Sequence, residues 1–288
     1  GLSHGAGNHA FLIGCAYFQG DEIVMEQLFM VDPTDEMPIL ARFLELVERH
    51  EYLVSFNGKS FDLSVLQSRL VCTRMMTARD IELKVFPHLD LLHTARAAYK
   101  NVFENTKLQT LEREVLKLDP KEREDDVAGS MIPALYFHYL RTGYAEPLDP
   151  VLRHNRTDVL SMVDLTAHLV SLINKPPPNT HGRVLLNLGR SLMRRRQNDR
   201  AAALLRRALR SLQLDSEEQL LAAADQVTAL RRAGRFADAA EACRLHLALT
   251  PSWDTDVRGQ VARRLVRMER RTAALQPPVI LDRAEAHP

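Results

Sequence analysis

Three groups of side chains in this sequence have the types and spacing to do chemistry. The first is Asn57-Gly58-Lys59-Ser60-Phe61-Asp62, which follows an apolar run at residues 52–56 and leads into Leu63, Val65, Leu66 and Leu70. This order predicts strand, tight loop and helix. An Asp in the first helical turn after a strand sits at the rim of a sheet, where the helix dipole favours its charge and its carboxylate can reach a divalent cation. The bland alternative is an Asn-Gly turn, a Ser60 N-cap and a dipole-favouring Asp62. The second group is His154-Asn155-Arg156-Thr157-Asp158. His154 and Asp158 are four residues apart, so a helix would place both on one face, as a site or as a surface pair. The third is the run Arg194-Arg195-Arg196, which could hold phosphates or be a solvated helical face.

Hard carboxylate oxygens select magnesium or manganese. A histidine with an ordinary pKa near 6.5 could take a proton from an attacking water. Lys59 could hold a phosphate as a point charge, or be a solvated loop lysine. Zinc is not expected, because His88 and His93 around Asp90 do not form a tight ligand pair with any Cys or His. Asp90 itself reads best as a buried acid hydrogen-bonded to a helix N-terminus.

The elements that must position these groups follow from apolar spacing. Residues 10–18 read as a strand covered on both faces, and Gln19-Gly20-Asp21-Glu22 turns it into a second strand at 23–31. Asp32-Pro33-Thr34 opens a helix carrying Ile39, Leu40, Phe43, Leu44 and Val47. Residues 52–56 and 85–90 are short strands; helices follow to about Thr73 and Tyr99. Residues 108–116 are a small amphipathic helix, 119–126 a charged loop, 132–140 a helix, and 147–173 a long helix with an early proline. Lys175-Pro176-Pro177-Pro178-Asn179 cannot continue a helix and predicts a stiff linker.

Beyond that linker everything is helical and repetitive. Leu185, Leu188, Gly189, Leu192, Ala201, Leu205 and Ala208 fit a tetratricopeptide-like unit, and Val227, Leu230, Gly234, Ala239, Cys243 and Pro251 fit a second. An insertion is expected around Leu214 to Gln219, a capping helix from Val257 to about Ala274, and a frayed tail afterwards. Two repeats and a cap should lean on the first domain for stability.

The 288 residues suffice for two domains, and 45% hydrophobic with 26% charged residues is the composition of a soluble globular protein. No apolar run approaches a membrane span, and Gly1-Leu2-Ser3-His4-Gly5 has no signal-peptide character, so no membrane association and a cytoplasmic location are expected. Cys15, Cys72 and Cys243 are odd in number and set among apolar residues, which predicts buried hydrophobes. Charge is uneven: residues 1–182 carry 18 Lys and Arg against 25 Asp and Glu, whereas residues 183–272 carry 19 Arg against 10 acids. The two parts are different electrostatic objects.

Taken in order, Gly5-Ala6-Gly7 before Ala10-Phe11-Leu12, Asn57 to Asp62, His88-Leu89-Asp90-Leu91-Leu92-His93, Leu111-Glu112, Ile132-Pro133 with Tyr136-Phe137, and His154-Asn155 with Asp158-Val159-Leu160-Ser161 form a set. In them residues 1–173 resemble the DEDD exonucleases of the ribonuclease H-like fold, specifically the YprB-like group, in which tetratricopeptide repeats often follow the nuclease-type domain. The resemblance implies a mixed sheet with flanking helices, Asp62 and Asp158 as second- and third-motif metal ligands, and His154 near the attacking water. Other branches have three residues between a Tyr and that last Asp, or four between a His and that Asp; His154 has three between it and Asp158. The first motif of the pattern, Asp-x-Glu-Thr-Thr-Gly-Leu, is represented only by Gly1-Leu2, so its acidic pair and most of the central strand are expected to be missing here.

The expectation is therefore an α/β ribonuclease H-like domain over 1–174, a Pro-rich linker over 175–182, an all-α tetratricopeptide-like repeat domain over 183–275 and a tail over 276–288. The expected activity is two-metal hydrolysis of single-stranded DNA or RNA, 3′ to 5′, with magnesium or manganese. Asp62, Asp158 and His154 would be catalytic, Asp62 and Asp158 the metal ligands, and Asn57, Lys59, Arg194, Arg195 and Arg196 the nucleic-acid contacts. The chain alone is expected to be inactive. The alternative is a non-catalytic module whose Arg-rich repeats grip nucleic acid or hold a protein partner.

Overall fold

The computed structural model describes residues 9–75, 86–124, 126–249 and 255–275. The chain divides into two compact units. One comprises the described residues up to Arg96 together with Phe103–Lys175; the other comprises Ala97–Val102 and the described residues from Pro176 onward.

The first unit opens with a hairpin, β1 (Leu12–Gln19) and β2 (Glu22–Phe29), paired antiparallel from Leu12↔Phe29 to Gln19↔Glu22. Gly20, at φ +64°, supplies the left-handed turn residue between them. The strand is not covered on both faces, as its apolar run predicts: Ile13 is buried but Phe18 is 66% exposed. A two-stranded ribbon twists strongly, so one end of an apolar strand can leave the core while the other stays in it.

Asp32 caps the next segment with a capping box to Asp35, through a 3-10 turn (Pro33–Asp35), and α1 (Glu36–Glu48) continues from it. Ile39, Leu40, Phe43 and Val47 then form its buried stripe. Strand β3 (Leu53–Ser55) pairs in parallel with β4 (His88–Asp90), Ser55 opposite Asp90. Between them runs α2 (Asp62–Cys72), which buries Leu63, Leu66 and Leu70. The antiparallel and parallel pairs are not hydrogen-bonded to each other among the described residues. Helix α3 (Leu91–Tyr99) follows β4 directly.

The core of this unit gathers Phe11, Met30, Phe43, Leu66, Leu70, Tyr136 and Val151 from six segments. Tyr136, on α5 (Ile132–Thr142), is fully buried, stacks on Phe11 at 4.2 Å and donates its hydroxyl to the Met30 carbonyl at 2.9 Å. Helices α1 and α2 are tied by an ion pair in which Arg69 Nε and Nη2 donate to Glu36 at 2.5 and 2.7 Å. Burial works to raise the Glu36 carboxyl, but Arg69 and His9 overcome it and hold the group below its ordinary value. A depressed carboxylate contributes stability above its unfolded pKa and loses it as pH falls through the folded value. Glu36→Gln is expected to cost about 3 kcal/mol at neutral pH. Urea midpoints of the two proteins should converge as pH drops below about 4; a gap unchanged by pH would refute this.

Three segments differ from their expected form. The helix beginning with α4 (Leu108–Leu111) passes after one turn into a π-helical stretch, Glu112–Leu116, closed by Lys117 at φ +57°. The charged loop contains a 3-10 turn, Pro120–Arg123, capped by Asp119. Cys72 is exposed rather than buried, because it lies two residues past Leu70 and so on the far side of α2; Cys243 is buried, and Cys15 is half-buried with its thiol pushed up to about 11, chiefly by desolvation.

The second unit is a series of helices packed consecutively: α7 (Gly182–Arg194), α8 (Asn198–Leu209), α9 (Ser216–Arg232), α10 (Phe236–Leu249) and α11 (Thr255–Leu275). A Cβ on Gly189 would lie 2.7 Å from Leu205 Cγ, so α7 and α8 approach as closely as their small residues permit. Ala201, Ala208, Ala239 and Cys243 are fully buried. The Pro-rich segment is not free of this unit, since Arg207 donates to the carbonyls of Pro176 and Pro177 at 3.0 and 2.6 Å. The segment 97–102 joins it too: Asn187 donates to the Ala98 and Lys100 carbonyls. Residues 276–288 lie outside the described residues, as does Pro251. No helix among the described residues is long and apolar enough to cross a membrane.

Candidate active site

The long helix of the first unit, preceded by a 3-10 turn (Glu146–Leu148), is α6 (Asp149–Asn174), and it carries His154 and Asp158. It is seated against the hairpin. A Cβ on Gly14 of β1 would lie 2.3 Å from Asn155 Oδ1 and 2.8 Å from Val159 Cγ2, so only glycine lets the strand and helix approach this closely. Gln27 of β2 locks the contact by donating to the Leu152 carbonyl at 2.8 Å and to Asn155 Oδ1 at 3.0 Å. The residues flanking His154 are thus anchored, and its ring and Asp158 are left free to meet other groups.

Those groups come from the π-helical stretch and the charged turn. Arg123 donates from Nη2 and Nε to Glu112 at 2.5 and 3.1 Å, and from Nη2 to Asp158 Oδ1 at 2.5 Å. Its Nη1 lies 3.4 Å from Asp126 Oδ2 and 3.2 Å from His154 Nδ1. Burial disfavours the Arg123 charge, but the Glu112 and Asp158 carboxylates outweigh it and raise the pKa. His154 Nδ1 also meets Asp126 Oδ1, and its Nε2 lies 3.4 Å from Asp158 Oδ2. Desolvation raises the Asp158 carboxyl despite Arg123 and His154, with Glu112 adding to the rise. The buried Glu112 was visible in the sequence only as part of Leu111-Glu112, and Arg123 and Asp126 only as members of a charged run; a charged loop carries no periodicity that aims a side chain inward.

The other expected carboxylate lies at the start of α2. Asn57 stands at φ +64°, a left-handed conformation that asparagine tolerates, and its N–H donates to Asp90 Oδ1 at 2.8 Å while Lys59 N–H donates to Oδ2 at 3.2 Å. Asp90, 3% exposed, also accepts from Leu92 N–H at 3.1 Å. It is thus a structural clamp on the loop, in keeping with the helix-terminus reading. Ser55 Oγ meets His88 Nε2 at 2.7 Å and accepts from Gly58 N–H at 3.1 Å, which uses His88 inside the same loop.

The clamp presents Asp62 at the first position of α2. Asp62 is an exposed residue, yet the surrounding protein raises its carboxyl by desolvation and the Asp90 charge adds to this. Solvent contact tempers that rise without reversing it. No cationic side chain bonds Asp62, and no hydrogen bond or ion pair joins it to Asp158 or His154, among the described residues. Nor do the described residues contain a group of three or more His, Cys, Asp or Glu arranged to hold a metal ion. Asp62 and Asp158 each carry hard carboxylate oxygens of the kind a divalent cation takes, and no hydrogen bond or ion pair among the described residues joins the two.

Arg194, Arg195 and Arg196 are exposed around the C-terminal end of α7, with Arg196 at φ +60°. Neighbouring arginines are engaged internally: Arg190 with Asp225 at 2.6 Å, Arg235 with Asp238 at 2.6 Å, and Arg183 with Glu218. The basic character of these helices is therefore partly spent on their own acids.

The profile of the RNase_H superfamily matches residues 1–170. The chain is 33% identical over 211 residues to a protein of Bacillus subtilis (strain 168) named "Uncharacterized protein YprB", covering 73% of this chain. The chain spans about half the length of that curated relative, 49% of it. No solved structure matches the chain. Family profile and relative agree with a fold in which an antiparallel hairpin and a parallel strand pair are flanked by helices: the chain belongs to the RNase_H superfamily and carries a YprB-like RNase H-like domain.

Proposed function

We propose that the RNase H-like domain is a divalent-metal-dependent nuclease that hydrolyses phosphodiester bonds of single-stranded DNA or RNA as a 3′ to 5′ exonuclease. Asp62 is the observation that carries this. An exposed carboxylate at the first position of α2, bonded by no cationic side chain among the described residues and raised by desolvation and the Asp90 charge, is open to a cation from solvent. Asp62 and Asp158 would hold magnesium or manganese, and His154 would stand beside the attacking water. When bound, the ions offset phosphate charge and lower the pKa of water. Asn57 and Lys59, in the loop ahead of Asp62, would meet the nucleic-acid backbone. The helical unit is read as a tetratricopeptide-like stack over 183–275, joined through residues 175–182 to the domain over 1–174. A cytoplasmic location goes with this reading.

Two carboxylates, one of them occupied by Arg123, should hold divalent ions weakly, so the 288-residue chain by itself is expected to be inactive. The test compares this chain with a version carrying an Asp-x-Glu strand ahead of Gly1, on end-labelled single-stranded DNA and RNA, with magnesium, manganese or chelator. Divalent-dependent release of nucleotides from the 3′ end by the extended version alone is expected. Chelator-resistant hydrolysis, or none in either protein, would sink the proposal.

The exposed Arg194, Arg195 and Arg196 favour a second reading, a module that grips nucleic acid without cleaving it. Binding that survives Asp62→Asn and weakens steeply with salt would support it; binding unaffected by salt would point to a protein partner instead.

A further inference from the structure

We infer that Asp126 is a positioning residue that sets the tautomer of His154, keeping the proton on Nδ1 and the lone pair on Nε2. The inference deepens the nuclease reading and rests on it for its catalytic meaning, but the tautomer is a property of the chain alone.

One ring nitrogen of His154 has two suitors. His154 Nδ1 faces Asp126 Oδ1 in a short contact and Arg123 Nη1 at 3.2 Å. A carboxylate can only accept, and a guanidinium can only donate. Nδ1 of a neutral ring carries either a proton for Asp126 or a lone pair for Arg123, never both. Asp126 is the closer, and Arg123 is already committed to Glu112 in two hydrogen bonds and to Asp158 in another. The carboxylate therefore claims Nδ1.

Asp158 makes a competing claim at the other nitrogen, since its Oδ2 lies 3.4 Å from Nε2 and would favour a proton there. That distance is too long for a strong hydrogen bond, and the Asp158 charge is already met by Arg123 at 2.5 Å. The balance leaves Nε2 unprotonated on the Asp158 side of the ring. In the proposed reaction the attacking water gives a proton to Nε2, its oxygen bonds to phosphorus, and the P–O3′ bond breaks with the electron pair leaving on that oxygen. The ring becomes a cation whose Nδ1–H is still held by Asp126. A buried carboxylate orienting a histidine is a general device for fixing ring orientation and tautomer.

Asp126→Asn is the discriminating change because it keeps shape while letting the side chain donate. The Asn amide can turn its NH2 toward Nδ1, where Arg123 Nη1 also offers a donor, and the pair favours the proton on Nε2. Nitrogen-15 spectra of the His154 ring, recorded on the 288-residue chain above the pH range in which histidine is charged, read the tautomer directly. The wild-type chain should show Nδ1–H as the dominant form and Asp126→Asn should invert the ratio. A dominant Nε2–H form in the wild type overturns the inference without any variant, and so does an unchanged ratio in a folded Asp126→Asn protein. In the extended version, Asp126→Asn should lower kcat roughly ten- to a hundredfold with KM and divalent affinity unchanged; an equal loss in divalent affinity would make Asp126 a structural support instead. If the nuclease reading fails, no rate can be measured, yet the tautomer result still stands or falls.

Discussion

Asp62→Asn is expected to abolish divalent-dependent hydrolysis in the extended protein while leaving the fold intact or slightly more stable. A carboxylate that holds an ion against the scissile phosphate contributes several kcal/mol to the transition state, and about 4 kcal/mol corresponds to roughly a thousandfold in rate. The stability expectation follows from the raised pKa of Asp62, which reflects desolvation first and the Asp90 charge second. A carboxyl whose folded pKa lies above its unfolded value favours the fold fully below the unfolded pKa, and that contribution is lost as pH rises through the folded one. Solvent screens this exposed side chain, so at neutral pH the neutral amide should leave stability unchanged or slightly raised. Paired measurements of rate and urea midpoint test this: a fall in both would mean that Asp62 caps α2 rather than holds an ion.

Arg123→Met is expected to produce the largest loss of stability, about 3–5 kcal/mol. The Glu112 side chain is only 3% exposed and takes both hydrogen bonds of a bidentate pair with Arg123, so removing the guanidinium leaves a buried carboxylate without that partner. The same change releases Asp158. Urea denaturation should show the loss, and the double variant Glu112→Leu with Arg123→Met should recover much of it, because an apolar pair can replace a buried ion pair with little cost. Binding of manganese by the 288-residue chain should tighten in Arg123→Met, since Arg123 and a metal compete for one carboxylate. A loss below about 1 kcal/mol would show that water screens the pair as it does surface bridges.

Local chemistry made much of the fold legible. The Gln19-Gly20-Asp21-Glu22 turn, the Asp32-Pro33-Thr34 helix start, the Leu63–Leu66–Leu70 stripe and the proline-rich break after α6 each depend on neighbours within a few residues. The π-helical turn at Glu112 was not legible, because an i+5 turn changes which residues face inward without changing composition. Cys72 was misplaced for a related reason: apolar company in sequence says nothing about which face of a helix a residue occupies. In the second unit, Gly189 and Ala201 announced close helix packing, but nothing marked Arg207 as the residue that would hold the Pro176 and Pro177 carbonyls.

The sequence by itself determined which residues could act: Asp62 after its strand and loop, and His154 one turn before Asp158. Spacing along a strand–loop–helix unit or along one helix is local, and local geometry can be read from order alone. Only the tertiary structure decided the surroundings of those residues. It clamps the Asn57–Lys59 loop with Asp90, presses Asn155 against Gly14 so that α6 is fixed, and brings Glu112, Arg123 and Asp126 to the His154–Asp158 face. Those contacts span 28 to 35 residues along the chain at His154 and Asp158, and they set charge, tautomer and access there. Coulombic and hydrogen-bond terms depend on distance in space, and that distance is fixed by packing rather than by order.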